Sequence, residues 1–256
     1  MAGKVCVEGI TLVTGAAQGI GREVAISFAK AGARGVIFAD INEDGAQEAA
    51  GQSQKYAKQS EYRGLSVKVD ITSEESVASL VSIAVKEFGR IDYAVHSAGI
   101  EQFEKAMITN IQGTMLCYQE PLWYESRHSK KSLGRGSIIN LGSVNSYCAA
   151  PGMMPYTSSK HAVIGITKTA AIDNFKAHIR VNAVCPAWVD TPMMQASLQR
   201  FPQLGPMIKV ASPLGRAATV EEVADYIVFL SSPSASFING TGLIVDAGLK
   251  LTVYTP

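Results

Sequence analysis

The stretch TGAAQGIG, residues 14–21, decides the fold of this chain. It follows a short apolar run, and an amphipathic stretch begins at residue 20. A glycine-rich turn between a strand and a helix lets a phosphate approach bare backbone amides at the positive end of the helix dipole. Gly15, Gly19 and Gly21 are spaced to form such a turn. The stretch alone also suits an ordinary tight turn, so its nucleotide-binding interpretation depends on what surrounds it.

Outward from this turn, short β-branched runs alternate with longer helical stretches. This alternation predicts βαβ units and a parallel sheet with helices on both faces. We expect an α/β fold in which residues 1–256 form one doubly wound Rossmann-type domain with seven strands. The predicted strands cover residues 11–13, 35–39, 65–69, 91–97, 136–141, 180–184 and 243–245. The predicted helices cover residues 20–31, 43–58, 73–88, 102–124, 156–176 and 220–230.

Composition excludes several classes of protein. Apolar residues make up 47% of the 256 residues, enough for one large core, and the net charge is +1. A chain with so little net charge has no excess of basic residues that would favour binding to nucleic acid or to an anionic membrane surface. We therefore expect neither partner. Its four cysteines show no metal-binding spacing, so we expect reduced thiols and no metal site. With no secretory signal in the sequence, we expect a cytoplasmic protein.

A polar set in the middle of the chain points to chemistry. Tyr156 and Lys160 are four residues apart, so a helix places them one turn apart on the same face. An ammonium near a phenol favours the phenolate and lowers the tyrosine pKa, which makes the tyrosine a usable general acid or base. Ser143, thirteen residues upstream, can hold a substrate oxygen.

Together these segments resemble the short-chain dehydrogenase/reductase family over nearly the whole chain. The matching segments are residues 14–21, 69–71, 97–99, 109–113, 156–160, 180–182, 186–191 and 245–248, together with Asp40 and Ser143. The resemblance implies a secondary alcohol/ketone oxidoreductase that uses a nicotinamide dinucleotide and acts on a small molecule. Tyr156 would exchange the proton and Ser143 would bind the substrate oxygen. Lys160 would hold the nicotinamide ribose, and Asn110 would anchor a water relay to the lysine unless it only bonds its own backbone.

The dinucleotide preference is predicted from Asp40. It lies nineteen residues after Gly21 at the end of the second strand, where a carboxylate can bind the ribose hydroxyls and repel a 2′-phosphate. Arg22, near the turn, is a cation that weakens this argument, so NAD is preferred and NADP is the second choice. The resemblance assigns cofactor contacts to Gly15, Gln18, Gly19, Ile20, Gly21, Asp40, Ile41, Asp70, Ile71, Ser97, Ala98, Gly99, Tyr156, Lys160, Pro186, Val189, Thr191 and Met193. Asp70 has an alternative role as a helix N-terminal acid.

The chain departs from the family pattern at several positions. Ser97 replaces the usual asparagine and Ala187 the usual glycine. Gly99 and Asn110 are closer in sequence than in most members, which indicates either a trimmed, open substrate pocket or residues missing from the sequence. Pro121 should kink the helix predicted there.

The substrate side is less defined. Ser143, Asn145, Tyr147, Tyr156 and Trp188 are the predicted substrate contacts. Residues 187–216 are rich in methionine and proline and predict a mobile flap of short helices over an apolar small-to-medium or polycyclic substrate. The same apolar side chains could instead form the core of the flap.

Two alternative functions remain open on the same fold. One is a dehydratase, isomerase or cyclase in which Tyr156 moves protons without net redox chemistry, and the other is a dinucleotide sensor. The resemblance also implies a homo-oligomer, a tetramer or a dimer, in which the apolar tail at residues 249–254 is suited to an interface.

Overall fold

A computed structural model describes residues 5–100, 103–119 and 136–251 of the chain. Within these residues seven parallel strands form one sheet in the order β3-β2-β1-β4-β5-β6-β7. The strands are β1 Ile10–Thr14, β2 Gly35–Asp40, β3 Arg63–Lys68, β4 Tyr93–His96, β5 Gly136–Leu141, β6 Ile179–Pro186 and β7 Gly242–Val245. The strand order reverses between β1 and β4, which creates the crevice where ligands bind in open α/β sheets. The predicted single, doubly wound domain with seven strands is confirmed.

Helices connect the strands as in successive βαβ units. The longer ones are α1 Gly19–Ala31, α2 Glu43–Ser53, α3 Glu74–Phe88, α4 Phe103–Met107, α5 Thr114–Gln119, α6 Met154–Asp173, α7 Pro192–Arg200, α8 Leu204–Ala211 and α9 Val220–Ser231. None of the helices in the described residues is long and apolar enough to cross a membrane.

The sheet is buried on both faces because its central strands carry apolar side chains towards both sides. Val13 and Phe38 face one cluster, which also contains apolar side chains of α1 and α9. Their neighbours Leu12 and Ile37 face a second cluster on the α3 side of the sheet. Successive side chains of a strand point to opposite faces, so continuous apolar runs are what a sheet covered on both sides requires.

Local signals fix where the helices begin and end. The Ser73 hydroxyl caps α3 by accepting a hydrogen bond from the Ser76 amide at 3.2 Å. Thr219 and Glu222 form a reciprocal capping box at the start of α9. α1 ends at Gly32, whose φ of 108° is a left-handed conformation that few other residues tolerate.

The continuous helix predicted over residues 102–124 is wrong in one respect. A π-helical turn, Ile108–Gly113, interrupts the described part between α4 and α5. Such turns often mark functional positions, and this one contains Asn110. The predicted kink at Pro121 lies outside the described residues.

The segment predicted as a flap contains α7 and α8. Thr191 caps α7 by accepting a hydrogen bond from the Met194 amide at 3.2 Å. Pro202 lies between the two helices, and Pro206 lies in the first turn of α8, where the missing amide hydrogen is tolerated. Pro202 therefore marks the break between two short helices.

Candidate active site

The glycine turn after β1 is packed too closely for side chains. Gly15 has a φ of 72°, and a Cβ there would lie 2.8 Å from the backbone of Ala98. A Cβ on Gly21 would overlap the carbonyl oxygen of Gly15. The N-cap of α1 is Gln18, whose exposed side chain makes no capping hydrogen bond. The turn therefore leaves the helix N-terminus without a side-chain cap from Gln18, while Ile20 packs partly against the core.

Asp40, the last residue of β2, is tied to this turn. One carboxylate oxygen accepts a hydrogen bond from the Ala17 amide at 2.9 Å, and the other accepts one from the Asn42 amide at 2.9 Å. The next residue, Ile41, is 64% exposed, which suits an apolar face offered to a flat ring. The carboxylate thus lies beside the glycine turn with lone pairs left for further donors.

Arg22, the cation near the turn, has partners on α2. Its guanidinium makes an ion pair with Glu48 at 2.7 Å and donates to the Gln52 side chain at 3.0 Å. The side chain of Arg22 is about one quarter exposed, at 26%. These contacts commit the guanidinium to the α1–α2 interface.

The ends of β3 and β4 complete this side of the crevice. Asp70 accepts hydrogen bonds from the amide and hydroxyl of Thr72, which hold the pKa of its exposed carboxyl below the usual value. The cap of the following helix is Ser73, and Asp70 lies three residues before it, so its alternative role as a helix N-terminal acid stays a prediction. Ile71 is buried and would contact a side chain placed at Gly113 of the π-turn. The Ser97 hydroxyl lies 3.2 Å from the Cβ position of Gly21, directly against the glycine turn.

The end of β6 leads into the segment predicted as a flap, on the other side of the turn. Pro186 is the last residue of β6, and Val189 is buried and pairs with Ala218. The Thr191 methyl group lies 3.6 Å from the Cβ position of Gly19. Met193, in the first turn of α7, is 38% exposed. The start of the segment predicted as a flap therefore lies beside the glycine turn.

Tyr156 and Lys160 lie one turn apart near the start of α6, as predicted. The Lys160 ammonium is 5.6 Å from the centroid of the Tyr156 ring and donates a hydrogen bond of 2.8 Å to the Leu141 carbonyl. Lys160 is only 6% exposed, and burial lowers its pKa to about 8. A Cβ at Gly99 would lie 3.7 Å from the same ammonium. The lysine thus joins α6, the end of β5 and the loop after β4.

Ser143 follows β5 and caps the short 3₁₀ turn Val144–Ser146. Its hydroxyl oxygen accepts a hydrogen bond from the Asn145 amide at 3.2 Å, which leaves its hydrogen free to donate. The residue is buried at 8% exposure. Ser143 is therefore held on the same strand end whose Leu141 carbonyl binds Lys160.

Asn110 is buried in the π-turn and does not use its side chain on its own backbone. Its carboxamide accepts from the Ile100 amide at 2.9 Å and donates to the Ile100 carbonyl at 3.0 Å. It also donates to the Ser159 hydroxyl on α6 at 3.1 Å. The alternative of a locally bonded asparagine is wrong, because the carboxamide links the loop after β4 to α6.

The remaining predicted substrate contacts occupy different places. Asn145 is nearly buried, and its amide nitrogen is 3.8 Å from the Met153 sulfur. The Tyr147 hydroxyl donates to the Gly242 carbonyl at 3.4 Å, which orients this side chain towards β7. Trp188 lines a cavity of about 670 Å³ between α9 and the end of β7. The described residues that line this cavity do not include Ser143, Tyr156 or Lys160. Trp188 therefore lies in a different place from the proposed catalytic set.

Comparisons with known proteins agree with this geometry. A family model described as enoyl-(acyl carrier protein) reductase matches residues 15–250. The short-chain dehydrogenase anuF of Penicillium roqueforti is 42% identical over 270 residues, covering 97% of this chain and 98% of that protein. The chain belongs to the short-chain dehydrogenase/reductase family.

Two further proteins show the range of those that the chain resembles. The 2-(R)-hydroxypropyl-CoM dehydrogenase of Xanthobacter autotrophicus is 33% identical, covering 93% of this chain and 96% of that protein. The solved structure of levodione reductase has a TM-score of 0.86 and 27% identity, covering 95% of this chain and 98% of that chain. This dehydrogenase/reductase is thus an oxidoreductase of alcohols or ketones, and its family binds NAD or NADP.

Three site residues of this dehydrogenase/reductase were not predicted from sequence. Ser146 and Ser159 are buried hydroxyls that bond to backbone carbonyls of Lys160 and Tyr156, at 2.8 and 2.7 Å. The three-residue spacing from Ser143 to Ser146 is a capping-box spacing and could have pointed to Ser146. Leu141 acts through its carbonyl group, which no side-chain pattern reveals.

Proposed function

We propose that this enzyme interconverts a secondary alcohol and a ketone by hydride transfer, with NAD(H) as its dinucleotide. The observation that carries the proposal is the arrangement of Lys160. Its buried ammonium lies 5.6 Å from the ring centroid of Tyr156 and is bonded to the strand end that carries Ser143. A buried ammonium beside a phenol favours proton loss from that phenol, which is the property a general acid–base tyrosine needs.

The residues present fit a dinucleotide. Side chains at Gly15 and Gly21 would collide with the backbone, so the turn keeps the close approach that a pyrophosphate requires. The first turn of α1 contains no acidic residue that would repel phosphate. A nicotinamide dinucleotide, when bound, supplies the hydride acceptor for alcohol oxidation and the hydride donor for ketone reduction.

The preference for NAD rests on the charges near the turn. Asp40 places a carboxylate 2.9 Å from the Ala17 amide of the glycine turn, where ribose hydroxyls can donate to it and a 2′-phosphate is repelled. Arg22, a cation that a 2′-phosphate would need, is paired with Glu48. Both observations favour NAD over NADP.

The chain's own residues divide the proton chemistry among three groups. In the direction of oxidation Tyr156 accepts the proton of the alcohol, and in reduction it returns a proton to the ketone oxygen. Lys160 stays positively charged near neutral pH and stabilises the phenolate. Ser143 donates its hydroxyl hydrogen to the substrate oxygen as negative charge develops there. Asn110 holds the Ile100 backbone and Ser159, and thereby fixes the loop beside Lys160.

Two further features support an apolar substrate and an assembly. The flap carries exposed apolar side chains at Met193, Phe201 and Met207, which suits a mobile cover over a hydrocarbon skeleton.

Exposed apolar side chains on α4, the π-turn and α5 favour a homo-oligomer, a dimer or a tetramer: Met107, Ile108 and Met115.

The experiment that tests the proposal follows absorbance at 340 nm while secondary alcohols and ketones are screened with NAD(H) and NADP(H), using wild-type protein and Tyr156→Phe. We expect turnover with NAD(H) that falls by about a thousandfold in the variant, because the reacting oxygen loses its proton partner. A second variant, Tyr226→Phe, removes a phenol hydroxyl from α9 and should keep full activity.

Other outcomes would redirect the proposal. A preference for NADP would contradict the account of Asp40. Tight dinucleotide binding without turnover, unchanged by Tyr156→Phe, would favour a sensor. Proton exchange on a substrate that depends on Tyr156 without a change at 340 nm would favour a dehydratase, isomerase or cyclase.

A further inference from the structure

The hydroxyl of Ser146 connects the two halves of the proposed catalytic set. It accepts a hydrogen bond from the Ser143 amide at 3.2 Å and donates one to the Lys160 carbonyl at 2.8 Å. Ser146 is 3% exposed, so neither bond is exchanged readily with water. We propose that Ser146 is a positioning residue, which holds Ser143 in register with the helix turn that carries Tyr156 and Lys160.

This contact is one of two hydrogen bonds that tie Lys160 to the same short segment of the chain. The Lys160 ammonium donates to the Leu141 carbonyl at 2.8 Å, while the Lys160 carbonyl accepts from Ser146. One short segment, residues 141–146, therefore holds Lys160 at both its side chain and its backbone. Because the same segment carries Ser143, a shift of Ser146 moves the serine and the lysine relative to each other.

The surroundings leave the hydroxyl little freedom. A Cβ on Gly142 would lie 3.1 Å from the Ser146 oxygen and 2.5 Å from the sulfur of Cys185. Cys185 itself is fully buried at the end of β6. Removal of the hydroxyl would therefore take its bonds from the Ser143 amide and the Lys160 carbonyl, in a place that is already tightly packed.

Position matters here because hydride and proton transfer tolerate little misalignment. A displacement of about 1 Å at a reacting group can lower a rate about a hundredfold. Ser146 makes no direct contact with the reacting atoms in this scheme, so its loss should lower the rate of the chemical step without weakening dinucleotide binding. The inference rests on the proposed oxidoreductase function.

Ser146→Ala is the test, with Ser231→Ala as its matched control. Ser231 is also 3% exposed and also donates a hydrogen bond of 2.8 Å to a carbonyl, that of Ile227, but within α9. We expect kcat to fall at least tenfold in Ser146→Ala, with KM for the alcohol and Kd for NAD(H) within twofold of wild type. Ser231→Ala should keep the wild-type kcat. Ser146→Thr, which keeps the hydroxyl, should recover most of the loss.

A measurement without substrate separates this inference from the proposed function. Lys160 is observed by carbon-13 NMR of labelled lysine, assigned by the loss of its signal in Lys160→Arg. Groups that can carry charge near the ammonium are Tyr156 on the same helix and Cys185 on β6. In wild type the pKa should lie near 8, and Ser146→Ala should raise it because the loosened ammonium regains water, whereas Ser231→Ala should not.

The results are decisive in each direction. A wild-type protein that turns over no alcohol or ketone contradicts the proposed function, and the NMR titration still tests Ser146. If Ser146→Ala matches Ser231→Ala in kcat and in the Lys160 pKa, Ser146 is only a structural cap. If Ser146→Thr does not fold, the comparison of the two alanine variants decides alone.

Discussion

The carboxylate of Asp40 accepts a hydrogen bond of 2.9 Å from the backbone amide of Ala17. This contact joins the end of β2 to the glycine turn after β1 and fixes where a negative charge stands relative to the bare amides of α1. The residue proposed to select the dinucleotide therefore also helps to shape the turn that would bind its phosphates. The two roles can be separated by experiment.

Replacing Asp40 should change the choice of dinucleotide. Asp40→Asn keeps an oxygen that can accept from Ala17 but removes the charge, so we expect the ratio of kcat/KM for NAD to that for NADP to fall by about tenfold, roughly 1.4 kcal/mol. Steady-state kinetics with both dinucleotides measures this ratio. Asp44→Ala, an exposed acid on α2, is the control and should leave the ratio unchanged. An unchanged ratio in Asp40→Asn would remove Asp40 from the account of specificity.

Gly21→Ala should abolish dinucleotide binding. The added methyl group would overlap the carbonyl oxygen of Gly15, so the turn must open. Gly51→Ala, near the end of α2, has nothing within 4 Å of its new methyl group and should be neutral or more stable by about 0.5–1 kcal/mol. Calorimetric titration with NAD, together with urea unfolding, distinguishes the two variants. Normal NAD affinity in Gly21→Ala would show that the turn does not bind the phosphates.

Lys160 should make stability depend on pH in one direction. Burial lowers its pKa from 10.5 to about 8, so between these two values the unfolded chain binds more protons than the native protein. Native stability contributed by this group therefore rises as pH increases from about 8 to 10.5, and at neutral pH its burial costs on the order of 3 kcal/mol.

Lys160→Met removes this titration and keeps the other groups that titrate in the same range, Cys185 among them. The difference in free energy of unfolding, wild type minus variant, should therefore rise with pH across that window. Urea unfolding at pH 7, 8, 9 and 10 measures it. A difference that stays constant or falls with pH would show that the native fold does not lower the pKa of Lys160.

Asn110→Ala should reduce activity by more than its loss of stability explains. It removes the bonds to the Ile100 backbone and to Ser159, and we expect a loss of about 2–3 kcal/mol in the free energy of unfolding. Asn239→Ala is the control, because Asn239 also binds two backbone groups, on Val181 and Ala171. Turnover per folded molecule, measured well below the unfolding temperature, should fall about tenfold only in Asn110→Ala. Equal turnover in both variants would make Asn110 a structural residue.

Much of the fold followed from the sequence because its signals are local. Continuous apolar runs predict strands buried on both faces, and a glycine such as Gly32 can end a helix through its own backbone freedom. The proximity of Tyr156 and Lys160 could be predicted from their four-residue spacing on a helix.

The π-turn at Asn110 could not be predicted in this way. Within it, Asn110 bonds to Ile100 and Ser159, which lie 10 and 49 residues away along the chain and which no local pattern pairs with it. The role of Leu141 was hidden for a similar reason, since any residue at that position offers the same carbonyl. Trp188 lies next to predicted cofactor residues in sequence, yet it lines a different cavity, because chain neighbours beyond a strand end need not share a face.

The uncapped start of α1 has a consequence for the lifetime of the enzyme. The Gln18 side chain makes no capping hydrogen bond to the first amides of the helix. The phosphates of a bound dinucleotide would supply acceptors for these amides. Ligand present at a hundred times its Kd adds about 2.7 kcal/mol to native stability by mass action. The resistance of the proposed enzyme to degradation would then rise with the concentration of dinucleotide. When the cofactor is scarce, less of the enzyme would survive.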